Sequence, residues 1–139
     1  MTPARLSLNA LAVVLTVALL HQVAAHEPYG VDDWTRTAIE QASEEFGVSY
    51  HELYETMHCE SAHFDPRVIY GPRLGALGEQ GGLQYLGGAR HYLWQRSPWA
   101  AYSPFDPHAA ARVTAWNWMI EPATKRQWSC WRLLFGRGW

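Results

Sequence analysis

Glu60 is the residue whose type and position first suggest chemistry. Ser49 and Glu52 have the S-x-x-E spacing of a capping box, which predicts a helix from about Tyr50. At 3.6 residues per turn, Leu53, Met57 and Glu60 share one stripe, with Tyr50 and Tyr54 flanking it. His51, Glu55 and His58 fall on the opposite side. Glu60 therefore lies on the face expected to be buried, where carboxylates are uncommon. Desolvation and the negative end of the helix dipole would both disfavour its charged form. A carboxyl that keeps its proton near neutral pH is what general-acid cleavage of a glycosidic bond requires. A purely structural carboxylate fits the stripe equally well.

The chain beyond Glu60 reads Glu60-Ser61, then Phe64-Asp65-Pro66, then a glycine-dense loop to Gly82-Leu83-Gln84. Asp65-Pro66 predicts the end of the helix, because the residue before proline is biased out of the α region. Arg67–Tyr70 is expected to be a short extended piece. Gly71, Pro72, Gly75, Gly78, Gly81 and Gly82 crowd the next stretch, a density suited to positive-φ turns or to a ring approaching the backbone. A plain surface loop accounts for it as well.

In this order, the Glu-Ser, Phe-Asp-Pro and Gly-Leu-Gln pieces resemble the lytic transglycosylases (SLT-type) and goose-type lysozymes of the lysozyme-like superfamily. The resemblance spans roughly Ile39 to Cys130. It implies a mainly α, lysozyme-like small helical domain with a loop-rich centre, and an enzyme that cleaves peptidoglycan strands between N-acetylmuramic acid and N-acetylglucosamine. Glu60 would protonate the glycosidic oxygen and then take the proton of the C6 hydroxyl, giving a 1,6-anhydro end without water. Ser61 would orient Glu60 or touch the glycan, and Gln84 would line the cleft. The Tyr-Asn pair late in many relatives is missing, and Asn117 is the only asparagine of the last long helix.

Glu79, in the glycine-rich loop, is the candidate second carboxylate of a true hydrolase, which works with two. An exposed loop charge is the simpler account of it. A non-catalytic glycan-binding or wall-assembly module on the same scaffold is a further alternative, and chitin an alternative substrate. Aromatic residues make up 14% of the chain and include eight Trp. Sugar faces stack on such rings, and Tyr70 and Tyr85, flanking the glycine loop, are the expected subsites. Core packing is the expected fate of most of the tryptophans.

Leu6–Leu20 is mostly apolar, follows Arg5, and precedes Val23-Ala24-Ala25, the pattern of a secretory signal peptide over residues 1–25. The expected product is one lysozyme-like domain over 26–139, secreted or periplasmic and wall-associated, without a stable membrane span, and monomeric. In an oxidising compartment the two cysteines, Cys59 and Cys130, have one intramolecular pairing. Since Cys59 points away from the Glu60 stripe, that bond would strap the C-terminal segment across the back of the helix. The Trp-Ser-Cys ending, paired with a Cys directly before Glu60, also resembles small secreted members of the superfamily.

A formal net charge of −2 argues against nucleic acid, which selects basic surfaces. No metal or cofactor is expected. His51-Glu52 opens like H-E-x-x-H, but the next histidine is His58, off the i, i+4 pairing. His26 as a processed N-terminus resembles a copper-binding histidine brace, although that belongs to β-sandwiches and this chain has helical periods.

These residues need helices to position them. A first helix is expected over about Asp33–Phe46, capped by Asp32 or Asp33 and stopped by Gly47, with Thr35, Ala38, Ile39, Ala42 and Phe46 as its apolar stripe. Gly82-Leu83-Gln84 is expected to open a third helix through His91 or Trp94. Asp106-Pro107 predicts another, His108 to about Ile120, burying Ala109, Val113, Trp116 and Ile120. Glu121-Pro122 should end it, and Trp131–Trp139 reads as a tail without a clear element.

Overall fold

The structure is a computed structural model that describes residues 30–85 and 90–137. The signal segment, the start of the N-terminal arm (His26 included), Gly87-Gly88 and the last two residues of the tail lie outside the described residues. The described chain is mainly helical, and the one β feature is an isolated antiparallel bridge between Gln80 and Tyr85.

Helix α1, Asp33–Phe46, begins where Asp32 accepts from the Thr35 N–H at 2.8 Å and ends at Gly47, whose φ of 64° supplies the left-handed cap. Helix α2, Tyr50–Glu60, begins at Ser49, which accepts from the Glu52 N–H at 3.2 Å. Only this half of the capping box links Ser49 and Glu52. The Glu52 carboxylate is drawn instead to the Lys125 ammonium at 2.6 Å and the Trp131 indole N–H at 3.0 Å, partners from the far end of the chain. Burial works against its charged form, but these two donors outweigh that and hold the carboxyl below the usual glutamate range.

Helix α2 stops at Glu60, earlier than the Asp65-Pro66 end expected, because Ala62, His63 and Phe64 take left-handed φ values of 53°, 64° and 60°; Asp65-Pro66 instead starts α3, Pro66–Ile69, where an extended piece was expected. Asp65 is its N-cap, accepting from the Arg67 N–H at 2.9 Å, with Pro66 in the first turn. Among the described residues, the next helix is α4, Arg90–Gln95, later than the Gly82 start expected from the sequence. Gln80 to Tyr85 is a tight turn closed by the bridge, with Gly81 at φ 73° and Gln84 at φ 54°, left-handed values that interrupt a helix. A Cβ on Gly81 would land on the Pro104 carbonyl oxygen, so only glycine fits there.

Helix α5, Pro107–Ile120, opens as expected, with Asp106 accepting from the His108 N–H at 2.9 Å. Its buried set differs: Ile120 is exposed, Trp116 is partly buried, and Ala110, Ala111, Thr114, Ala115, Asn117 and Trp118 are buried with Ala109 and Val113. This helix packs against α1, α4 and the 3-10 helix Pro122–Gln127, so it is enclosed around most of its circumference and no single stripe describes it. Helix α6, Ser129–Leu134, starts two residues before the segment read as a tail, runs into it and packs on α2.

The core runs from Ile39 and Ala42 through Leu53 and Met57 to an aromatic cluster. Trp128 stands edge-on to Trp118 (5.7 Å between centroids) and to Tyr85 (5.9 Å), and Tyr85 to Trp94 (4.9 Å). The Trp128 indole N–H donates to the Leu83 carbonyl at 3.0 Å, which fixes the end of the glycine-rich loop to the core. Truncating such a ring to alanine would cost about 3–5 kcal/mol. Among the described residues, no helix is long and apolar enough to cross a membrane.

Candidate functional site

Helix α2 ends with Glu60, the stripe that carries it buries Leu53 and Met57 completely, and the Glu60 side chain is 7% exposed. Three groups meet its carboxyl. The Cys130 backbone N–H donates to Oε1 at 3.1 Å, the Ser129 hydroxyl lies 3.3 Å from the same oxygen, and an Arg90 guanidinium nitrogen stands 3.5 Å from Oε2. Arg90 also donates to the Leu83 carbonyl at 3.2 Å and lies over the Trp128 ring. Each oxygen of Glu60 therefore faces donors brought from α4 or from the start of α6.

The disulfide Cys59–Cys130 is formed, with Cα atoms 5.9 Å apart. It brings the C-terminal segment to Glu60 itself. The strap expected across the back of α2 thus also reaches the carboxylate, because Cys130 has a backbone N–H as well as a sulfur. Nothing in the local pattern around Glu60 marks Ser129, Cys130 or Arg90 as its partners.

A pocket of about 180 Å³ opens on Glu60, lined by Ala62, Val68, Arg73, Leu74, Gly75, Ala76 and Gln84 as well. Glu60 and Gln84, 24 positions apart in sequence, thus share one cavity. Gln84 is held by its own turn, its amide donating to the Gly81 carbonyl at 2.9 Å. Its side-chain oxygen occupies the space beside Gly75: a Cβ on Gly75 would collide with Gln84 Oε1 and with Glu79 Oε2. Gly75 is thus the thin wall that lets both side chains approach the loop.

Glu79 Oε2 lies on the same side of Gly75 as Gln84 Oε1, but Glu79 is not among the residues that line the pocket. Its carboxylate accepts from the Leu77 N–H at 2.8 Å and braces the loop's own turn. Ser61 is fully buried, and its hydroxyl accepts from the Phe64 N–H at 3.0 Å, which closes the turn after α2. It faces the protein and touches neither Glu60's carboxyl nor the pocket.

Of the two expected sugar platforms, Tyr70 is 42% exposed, and its hydroxyl donates to the Asp32 carboxylate at 2.9 Å, tying the loop to the start of α1. Tyr85 corrects the expectation. Its ring is wholly buried in the aromatic cluster and its hydroxyl pairs with Thr114 at 2.6 Å, so no sugar can stack on it. Burial raises its pKa accordingly. The position beside the glycine loop that suggested a cleft residue instead delivers Tyr85 to the core, through the bridge to Gln80. Asn117 is likewise internal: its amide donates to the Leu93 and Val113 carbonyls and its oxygen accepts from Arg96 at 2.7 Å.

His58 and His63 stack at 4.7 Å, and burial together with the His63 charge lowers the pKa of His58. Among the described residues, no group of three or more His, Cys, Asp or Glu side chains is placed to hold a metal ion. In comparisons with known proteins, no family model, curated protein or solved structure matches the chain.

Proposed function

We propose that the protein is a secreted, lysozyme-like enzyme that cleaves the β-1,4 bond between N-acetylmuramic acid and N-acetylglucosamine in peptidoglycan, with Glu60 as acid and then base. The observation that carries this reading is a nearly dry carboxyl at the end of α2, opening on a cavity shared with Gln84 and the thin Gly75 wall. The donors at Oε1 and the guanidinium beside Oε2 fix the carboxyl in place, from which it would pass a proton to the glycosidic oxygen and recover one from the C6 hydroxyl. Among the described residues Glu60 is the one carboxylate that lines the cavity, while Glu79 accepts from its own loop, and this supports a 1,6-anhydro end as the product.

A second reading has its own support. Arg90 beside Glu60, with Ser129 and Cys130 as further donors, is a set that suits a carboxyl held in place as a structural anchor, and with it a non-catalytic glycan-binding module. Clearing of a cell-wall suspension separates the two. The enzyme reading expects clearing by the parent and none by Glu60→Gln; glycan binding with no clearing by either favours the module.

A further inference from the structure

Among the described residues, Arg73 is the one basic residue that lines the Glu60 pocket, and the fold holds it there. Its backbone N–H donates to the Arg67 carbonyl at 2.9 Å, and a guanidinium nitrogen lies 3.0 Å from Asp65 Oδ2. The Asp65 side chain is 3% exposed and caps α3, so it cannot swing away without undoing that turn. Arg67 also binds this carboxylate, through Nε at 3.1 Å and a terminal nitrogen at 2.7 Å. One buried aspartate thus faces two arginines, and the trio carries a net positive charge. The Arg73 side chain remains 55% exposed, and beyond Asp65 it makes no other side-chain hydrogen bond among the described residues.

From this placement we infer that Arg73 is a specificity residue that binds a carboxylate on the C3 substituent of muramic acid while the adjoining bond lies at Glu60. The inference rests on the glycosidase reading and adds to it the choice of substrate. A guanidinium presents several donors in a fork that matches a carboxylate, and anchoring by Asp65 removes part of the ordering cost. Peptidoglycan offers that carboxylate in two forms: the free lactyl group of a peptide-free strand, or the acidic residues of a stem peptide. Chitin offers neither. Its sugars have the same ring and the same N-acetyl group but no charge for Arg73 to meet.

The test uses the full-length protein and measures binding and cleavage of three oligosaccharides of equal length: peptide-free peptidoglycan, peptide-bearing peptidoglycan and chitin. The parent should prefer at least one anionic strand over chitin. Arg73→Gln should lower affinity for that strand about tenfold and leave chitin unchanged, as for loss of one hydrogen bond to a charged group. Arg73→Lys should recover part of the loss, and added salt should erase the difference between parent and Arg73→Gln. A loss confined to the peptide-free strand assigns the lactyl carboxylate, and one confined to the peptide-bearing strand assigns the stem. Equal affinity of parent and Arg73→Gln for all three, or an equal drop on all three, overturns the inference while leaving the glycosidase reading in place. If the folded parent binds and cleaves none of them, the glycosidase reading falls and this inference with it.

Discussion

Cys130 holds Glu60 from two directions: its backbone N–H donates to Glu60 Oε1 at 3.1 Å, and its sulfur is bonded to Cys59, the residue next to Glu60 in the chain. A single residue from the C-terminal segment therefore both staples α2 and supplies a donor to its terminal carboxylate. Stability and site geometry are coupled through this one contact.

Removing the staple should be felt in both. The disulfide joins residues 71 positions apart, and the chain-entropy account gives about 4 kcal/mol for a loop of that order. A Cys59→Ala/Cys130→Ala double variant should unfold at markedly lower denaturant, with the loss matched by reduction of the parent. An unchanged midpoint would mean that the packing of α6 on α2 holds the segment without the bond.

Asp65 supplies a pH dependence whose sign is fixed. The Arg67 guanidinium, with Arg73 behind it, holds the carboxyl down to about 2 against a free value of about 3.9. A depressed carboxylate stabilises the fold fully above its unfolded pKa, and that contribution is lost as pH falls through the folded one. Asp65→Asn should therefore be less stable than the parent at pH 6, and the gap should narrow between about pH 4 and pH 2. A gap that stays constant over that window would rule out the two arginines as its source.

Two glycines of the loop should behave differently. Gly81→Ala combines a φ of 73° with a collision against the Pro104 backbone, which cannot give way cheaply, and a loss above about 2 kcal/mol is expected. At Gly75 the closest obstacles are the ends of the Gln84 and Glu79 side chains, which can rotate aside, and the Glu79 Cβ at 3.1 Å needs to give by only a few tenths of an ångström. Gly75→Ala should fold with nearly the parental melting temperature yet lose glycan affinity, as Gln84 leaves the pocket. Thermal melting read alongside binding separates the two cases.

Asn117 should prove structural. Its amide joins α4 to α5, and its oxygen satisfies the Arg96 Nε–H. Asn117→Ala strands those groups and should cost about 2–4 kcal/mol, with glycan affinity of the folded fraction unchanged. A selective loss of affinity would instead place Asn117 at the glycan.

These contacts also show how far the sequence could be read. Local signals were legible: the Asp32 and Ser49 caps, the Gly47 stop and the Asp106-Pro107 start each depend on neighbours within a few residues. The same Asp-Pro signal stands at Asp65-Pro66, where Asp65 caps α3, a helix too short to carry an apolar period of its own. The left-handed Gln84 has no marker of its own, so the third helix was begun too early. The stripe on α5 failed because its neighbours enclose the helix. Pairing of Cys59 with Cys130 was readable because only two cysteines exist. The contacts that define the surroundings of Glu60, from Arg90, Ser129 and Cys130, arise from tertiary packing that no local spacing encodes.

The most direct measurement is mass spectrometry of peptidoglycan fragments after incubation with the parent and with Glu60→Gln. The account predicts new muramyl ends carrying the 1,6-anhydro mass with the parent and none with the variant. Ordinary reducing ends would bring Glu79 or another water-activating group back as a second participant. No new ends from the folded parent, or equal yields from parent and variant, would contradict the assignment of Glu60.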